Sequence, residues 1–294
     1  MRLLHATDIH WFAPPTLADW SVKRALGTAN LYLRGRRHDF DPGVQRALVA
    51  HVLREAPDAV LLTGDLTAQA LDQEFRIARE ALDPVLQRIP TLVIPGNHDV
   101  YAPDAVVEGR LRRWFGPWCG GEGPVARLDV GRLTLLGLDT NRPTWLTANG
   151  AVPAAQREAL AAALAEPSLA DRAVVLALHH PPVDRRGDLY VKWSHGLTDA
   201  ADLAALLAAA PRRPDLICCG HVHHGFRAAL ALPDGAAIPV VDCGSSGHAF
   251  QPARGRAAAC AAYTLGGGAL AVERWLHDGT TFAPEPGGAF ASHG

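Results

Sequence analysis

Residues 173–182, AVVLALHHPP, and residues 215–224, DLICCGHVHH, share one pattern: a short apolar run, then histidines bounded by Pro or Gly. Runs of this length and composition read as fully buried strands. The pattern recurs three times upstream. Residues 2–7 lead into Asp8 and His10, residues 58–63 (DAVLLT) into Gly64-Asp65, and residues 91–95 (TLVIP) into Gly96-Asn97-His98-Asp99. Between the runs, residues 42–56, 69–88, 153–165 and 198–210 repeat Ala and Leu at helical spacing with charges opposite. Strands alternating with helices put the chain in the α/β class, with a largely parallel sheet covered on both faces. Ligands of such sheets bind beyond the carboxyl ends of the strands. Five strand ends carrying Asp, His and Asn are therefore expected to converge on one edge. Further runs at 132–138 and 237–243, with a Gly-turn hairpin over 260–276, are read as a second sheet packed on the first.

With 294 residues, 48% hydrophobic and 20% charged, the chain has the composition of a globular protein with a sizeable core. Nothing resembles a flexible linker, so residues 1–294 are read as a single domain, with a loose Gly/Pro-rich tail over 283–294. A net charge of -2 excludes a large overall field pulling the chain toward nucleic acid. Cys119, Cys218, Cys219, Cys243 and Cys260 are few and irregularly spaced, which reads as reduced thiols and an intracellular protein. Cys218 and Cys219 read as core. The N-terminus lacks a signal-peptide pattern, and no apolar run reaches the ~18 residues of a membrane span. The expected location is cytoplasmic.

Carboxylate, imidazole and an Asn carbonyl, without thiolate, suit divalent Mn, Fe, Zn or Co. Asp8, His10, Asp65, Asn97, His179, His221 and His223 exceed what one centre uses while keeping an open position. Two centres sharing one carboxylate explain the number. Paired ions about 3.5–4 Å apart serve in-line displacement at phosphorus, generating hydroxide near neutral pH.

The motif series Asp8-x-His10, Gly64-Asp65, Gly96-Asn97-His98-Asp99, His179 before Pro181-Pro182, and Gly220-His221-x-His223 resembles that of the calcineurin-like metallophosphoesterases, over roughly residues 3–224. The compact Gly-Asn-His-Asp and His-His-Pro-Pro forms are most similar to the bacterial class III cyclic-nucleotide phosphodiesterases. The resemblance implies a four-layer sandwich of two central mixed β-sheets flanked by helices. It implies that Asp8, His10 and His223 bind a first metal, that Asn97, His179 and His221 bind a second, and that Asp65 bridges them. His98 is then no ligand: with Asp65 it is the catalytic residue, facing the substrate phosphate. His179 rather than His180 is the ligand because the family places it immediately after the strand.

Other residues keep plainer readings. His5 reads as a core histidine and His51 as structural. His180, His195 and His224 are left open between touching substrate and standing aside. Asp99 is read as orienting an imidazole or capping a turn, and Trp114 and Trp118 as anchors. Arg142, Trp145 and Asn149 line a pocket or form a loop. Residues 11–41 form a lid-like insertion, longer than the compact phosphodiesterases carry, with two Trp and a basic cluster of Arg34, Arg36, Arg37 and His38. Such an apolar and basic segment suits a lid, a partner surface or peripheral contact with a membrane.

The function expected is hydrolysis of a small-molecule phosphodiester, of cyclic-nucleotide or glycerophosphodiester type. A UDP-linked lipid pyrophosphate, a phosphomonoester, and a metal-binding scaffold without activity are the alternatives. A nucleic-acid polymer is not expected as a partner, and a homodimer is left open.

Overall fold

Strand β1 (Arg2–Ala6) is buried on both faces, and its side chains alternate between two different cores. Leu4 and Ala6 face the helices α1 (Pro42–Glu55) and α2 (Asp72–Leu86), while Leu3 faces a second sheet. The same alternation runs through β2 (Ala59–Leu62): Val60 and Leu62 face the helices, Ala59 and Leu61 the other sheet. The structure, a computed structural model, describes residues 1–16, 19, 24, 39–142 and 147–290.

The remaining elements are β3 (Thr91–Val93), α3 (Pro103–Val107), α4 (Arg110–Phe115), β4 (Ala126–Val130), β5 (Leu133–Leu138), α5 (Ala154–Leu164) and β6 (Ala173–Leu178). They continue with α6 (Ala200–Ala209), β7 (Leu216–Cys219), β8 (Phe226–Ala231), β9 (Ala237–Asp242), β10 (Ala259–Gly266), β11 (Ala269–His277) and β12 (Phe282–Pro284). One sheet has the order β12-β11-β10-β1-β2-β3 and the other β4-β5-β6-β7-β9-β8. Pairs β1–β2, β2–β3, β5–β6, β6–β7 and β7–β9 are parallel, and the others antiparallel.

Three apolar layers follow. Leu61, Leu92, Leu135 and Val175 pack between the sheets; α1 and α2 cover the first sheet; Leu160 and Leu164 of α5 and Leu203 and Leu207 of α6 cover the second. This is the four-layer sandwich of two mixed sheets flanked by helices. The runs, however, are distributed differently from the pattern-based reading. Strands β1, β2 and β3 belong to one sheet, and β6 and β7 to the other. The tail hairpin joins the first sheet, with β10 antiparallel to β1. A strand buried on both faces looks alike in sequence whether it is covered by two helix layers or by helices and a sheet.

The tail expected to be loose from residue 283 is held down through residue 290. Phe282–Pro284 pairs with β11, Glu285 accepts from Arg274 Nη1 at 2.9 Å, and Phe290 is buried. A buried ion pair outweighs the local Gly/Pro composition. The five cysteines are free and buried, with Cys218 and Cys219 in the core, and burial pushes their thiols up. Among the described residues no helix is long and apolar enough to cross a membrane. Of the lid-like insertion, Trp11 lies in the core, and Arg24 pairs with Asp104 at 2.8 Å. Arg34, Arg36, Arg37, His38 and Trp145 lie outside the described residues.

Candidate metal centre

Beyond the last ladder bonds of β1 and β2 the two chains stay zipped. Asp8 N–H donates to the Gly64 carbonyl at 3.0 Å, His10 N–H to Asp65 at 3.0 Å, and Trp11 N–H to Leu66 at 2.7 Å. The loops after β6 and β7 are tied by Gly220 N–H to the His179 carbonyl, 3.0 Å. His221 N–H donates to Asp8 Oδ2 at 2.9 Å and joins the two sheets at the site.

The backbone there is strained. Asp8, His10, Asp65, His221 and His223 have φ of 51°, 53°, 52°, 77° and 60°. Each such left-handed non-Gly residue costs on the order of 1–3 kcal/mol, and strain of this kind collects at functional sites. Fully burying one Leu contributes about 1.5–3 kcal/mol, so the three apolar layers readily hold the strain. The Gly preceding Asp65 and the one preceding His221 have a steric reason. A Cβ on Gly64 would stand 2.2 Å from Gly96 N, and one on Gly220 would stand 2.1 Å from Thr7 Oγ1 and 2.5 Å from Asp8 Oδ2.

The side chains meet with lone pairs inward. Ligand atoms of Asp8, His10, Asp65 and His223 all lie within 4.8 Å of one another. Asp8 Oδ2 accepts from Thr7 Oγ1 and His221 N–H, whereas its Oδ1 is buried with no hydrogen-bond donor, His223 Nε2 approaching to 3.2 Å. His10 uses Nδ1–H on the Thr67 carbonyl (3.2 Å) and points Nε2 at His223 Nε2, 3.2 Å away. His179 uses Nδ1–H on the Thr63 carbonyl (2.8 Å), leaving Nε2 3.1 Å from Asn97 Oδ1 and 3.4 Å from Asp65 Oδ2. His221 places Nδ1 2.8 Å from the same Asn97 oxygen and donates Nε2–H to the His195 carbonyl at 3.1 Å.

Burial works against charge on these rings, and it holds His10 well below and His221 near 3. At His179 burial is overcome by Asp65 and Asp8, which raise it to about 10. His10 Nε2 against His223 Nε2 and His221 Nδ1 against Asn97 Oδ1 set acceptor against acceptor, and these, with the orphaned Asp8 Oδ1, are what a bound cation reconciles. The donor set of carboxylate, imidazole and amide oxygen fits a borderline or hard divalent ion.

The expected residues meet as follows. Asp8, His10, Asp65 and His223 form one group, and Asn97, His179 and His221 gather on the other side of Asp65. His98 donates Nδ1–H to the Ala68 carbonyl at 2.6 Å and lines the open cleft of about 530 Å³ in front of Asp65. His195 and His224 line that cleft too. His180 does not: it is buried, accepting from Thr140 Oγ1 at 2.8 Å and donating to the Ala148 carbonyl at 3.0 Å. Asp99 takes the capping role, accepting from the N–H groups of Thr67 (2.9 Å) and Gly96 (3.0 Å), with burial and Asp65 raising it to about 6. His5 is a core residue between Tyr263 and Thr63, and His51 packs on Trp275 and Phe282. Trp114 and Trp118 are anchors, donating to Asp72 and to the Leu86 carbonyl. Asn149 belongs to a loop, donating to the Trp193 carbonyl, and Arg142 is exposed.

Four residues at the site went unread in the sequence. Phe40 lies over His10 at 4.3 Å between ring centroids and also against His248, whose ring is 5.2 Å from His223. Ser245 donates to the Asp8 carbonyl at 2.7 Å, and Tyr190 lines the cleft. A signal for two of them existed. Gly244-Ser245-Ser246-Gly247-His248 follows the apolar run 237–243 in the same way that the recognised turns follow theirs.

Calcineurin-like phosphoesterases match this chain over residues 1–225. The chain belongs to that family. Its relatives include proteins named phosphodiesterases. It is 30% identical over 185 residues to the glycerophosphodiester phosphodiesterase GpdQ of Enterobacter lignolyticus, covering 58% of each chain. It is 30% identical over 175 residues to a cAMP/cGMP dual specificity phosphodiesterase of Mycobacterium tuberculosis, covering 58% of this chain and 50% of that one. The chain thus spans between half and three fifths of the length of these two relatives. In fold it is similar to a dimetal phosphatase of Danio rerio, with TM-score 0.56 and 15% identity over 96% of this chain and 98% of that one.

Proposed function

We propose that the chain is a binuclear metal-dependent phosphodiesterase acting on a small-molecule phosphodiester of the cyclic-nucleotide or glycerophosphodiester type. In this reading Asp8, His10 and His223 hold one divalent ion, Asn97, His179 and His221 hold another, and Asp65 serves both. The observation that carries it is the place of Asp65 Oδ2, 3.7 Å from His10 Nε2 and 3.4 Å from His179 Nε2. When bound, such ions lower the pKa of water and neutralise charge on phosphoryl oxygens, which is why Mn, Fe, Zn or Co would serve.

The chain's own residues do the remaining work. Asp65 Oδ1 accepts the His98 N–H at 2.7 Å, so the bridging carboxylate also sets the position of His98. With Nδ1 committed to Ala68, His98 has Nε2 to hold against the phosphate or to give a proton to the leaving oxygen. The cleft has the size of small-molecule sites, roughly 300–1,000 Å³, and the names of the two relatives point to small phosphodiesters. A cytoplasmic location and a small-molecule partner rather than a nucleic-acid polymer belong to the same reading.

The test is hydrolysis of bis(p-nitrophenyl) phosphate beside p-nitrophenyl phosphate by protein stripped of metal and reloaded with Mn²⁺, with Asp65→Ala alongside. Metal-dependent turnover that favours the diester and is lost in the variant is expected. Failure to cleave either ester under any divalent metal, with metal bound, would sink it.

A further inference from the structure

The cleft at the candidate metals opens on both sides, and the two sides differ in how their cations are used. Toward β10 and β11 lies a basin of about 580 Å³ whose arginines are already paired, Arg256 with Asp39 at 3.3 Å and Arg274 with Glu285 at 2.9 Å. On the other side a larger basin of about 920 Å³ is bounded by the loop after β6 and the start of β8. Tyr190, Val222 and His224 line both this basin and the metal cleft, so the two are continuous.

Arg185, Arg186, Lys192 and Arg227 line the larger basin, and none has an ion-pair partner among the described residues. Lys192 lies over the Tyr190 ring at 5.5 Å, a contact that leaves its charge unneutralised. The acidic side chain there, Asp184, is occupied by its own turn, where Oδ1 accepts the N–H groups of Arg186 at 2.8 Å and Asp188 at 3.2 Å. Arg76, Arg79, Arg112, Arg113, Arg127 and Arg213 each meet a carboxylate. Cations without an ion pair among the described residues, such as Arg46 and Arg88, also occur on the surface, but here four such cations line one basin. Four like charges, three from the loop after β6 and one from β8, around one basin repel one another and favour an anion between them.

We infer that this basin is a second anion subsite, taking a phosphate group on the alcohol portion of the substrate while the scissile diester sits at Asp65 and His98. The inference rests on the proposed phosphodiesterase reading and narrows it to small phosphodiesters that carry an additional phosphate group. Arginine favours phosphate through paired N–H donors, and a site open to solvent makes the preference salt-dependent.

The experiment compares thymidine 5′-(p-nitrophenyl phosphate) with the same ester bearing a 3′-phosphate, using the Mn²⁺-loaded full chain and the variants R185A/R227A and K192A. The altered side chains are exposed, so both variants fold. The wild type should show kcat/KM about tenfold higher or more for the 3′-phosphorylated ester. That gain should shrink in the variants and at high salt, with the plain ester unaffected. Equal kcat/KM for the two esters in the wild type, or a gain untouched by the variants, would overturn the subsite.

Calorimetric binding of thymidine 3′,5′-bisphosphate to metal-free protein, against thymidine 5′-phosphate, supplies a readout free of turnover. If neither ester is cleaved, the phosphodiesterase reading fails, while tighter binding of the bisphosphate that is lost in R185A/R227A still supports the subsite. Leu189, Val191 and Trp193 are exposed on the same loop. Binding to anionic phospholipid vesicles that the variants abolish, without discrimination between the nucleotides, would therefore overturn the proposal in favour of a membrane surface.

Discussion

Asp65 Oδ2 lies 3.4 Å from His179 Nε2, and the ring cannot turn away because its Nδ1–H is committed to the Thr63 carbonyl. The pair joins the end of β2 in one sheet to the end of β6 in the other. A divalent ion held there would link the two sheets. Mn²⁺ should therefore raise the melting temperature of the stripped protein, by an amount that corresponds to about 2.7 kcal/mol at a hundredfold excess over Kd. In Asp65→Asn the rise should be much smaller. Scanning calorimetry with and without Mn²⁺ checks this, and an equal rise in both proteins would deny Asp65 a part in holding metal.

His98 should separate chemistry from metal binding. Replacing it by Gln keeps a polar group beside Ala68 but removes the imidazole. Turnover is expected to fall by about 10²–10⁴, the usual worth of a positioned acid or base. Metal content by elemental analysis should stay at the wild-type value. Loss of metal with activity would make His98 a ligand instead.

Gly220 is a steric prediction. An Ala there brings Cβ to 2.1 Å from Thr7 Oγ1 and 2.5 Å from Asp8 Oδ2, both fully buried. Overpacking of this kind costs about 1–3 kcal/mol. Displacing Asp8 should also weaken Mn²⁺ binding, since its Oδ1 is the unpartnered oxygen of the site. Urea unfolding and a Mn²⁺ titration of Gly220→Ala measure the two effects. Wild-type values in both would refute the close approach.

The site was legible because its residues follow apolar runs, and the glycines before Asp65 and His221 are demanded by close neighbours, the Gly96 backbone at Gly64 and the Thr7 and Asp8 side chains at Gly220. The layers were less so. Val60 and Leu61 look alike in sequence, yet one faces α1 and α2 and the other faces the second sheet. Strand β4 was missed because ARLDV is half-exposed at a sheet edge and mixes charge with apolar residues. Phe40 was missed because its place at the site depends on the chain crossing from one end of the sequence to the other, through a bridge between residues 40 and 248. No local pattern encodes that contact.

Glu74 should tilt stability with pH. It is buried at the start of α2, accepting from the N–H groups of Gln69 (2.8 Å), Leu71 (3.2 Å) and Ala13 (3.3 Å). Burial raises its pKa from 4.5 to about 8 despite those donors. The folded state then holds a proton that the unfolded state has released. Stability from this group is fully present below about pH 4.5 and is lost as pH rises through about 8. Between those values the stability of wild type relative to Glu74→Gln should fall with rising pH, by up to about 1.4 kcal/mol per unit. Urea unfolding of both proteins at pH 5, 6.5 and 8 tests the sign. A difference that stays flat or grows with pH would show Glu74 ionised in the fold.

Arg274 and Glu285 test whether the end of the described chain is part of the structure. Their side chains are 7% and 2% exposed, 2.9 Å apart, and Arg274 also donates Nε–H to the Cys243 carbonyl at 3.1 Å. Glu285 in turn accepts the Phe290 N–H at 2.6 Å, so one carboxylate holds both β11 and the residues after β12. Removing one partner of a buried pair leaves the other charge uncompensated, which costs about 3–5 kcal/mol. Glu285→Ala should lose that much in urea unfolding, whereas Arg274→Met/Glu285→Leu, which removes both charges, should recover most of it. Because Cys243 immediately precedes the Gly244–His248 turn beside the metal centre, the single variant should also weaken Mn²⁺ binding. A Glu285→Ala protein as stable as wild type would mean that the segment after β12 contributes nothing to the fold.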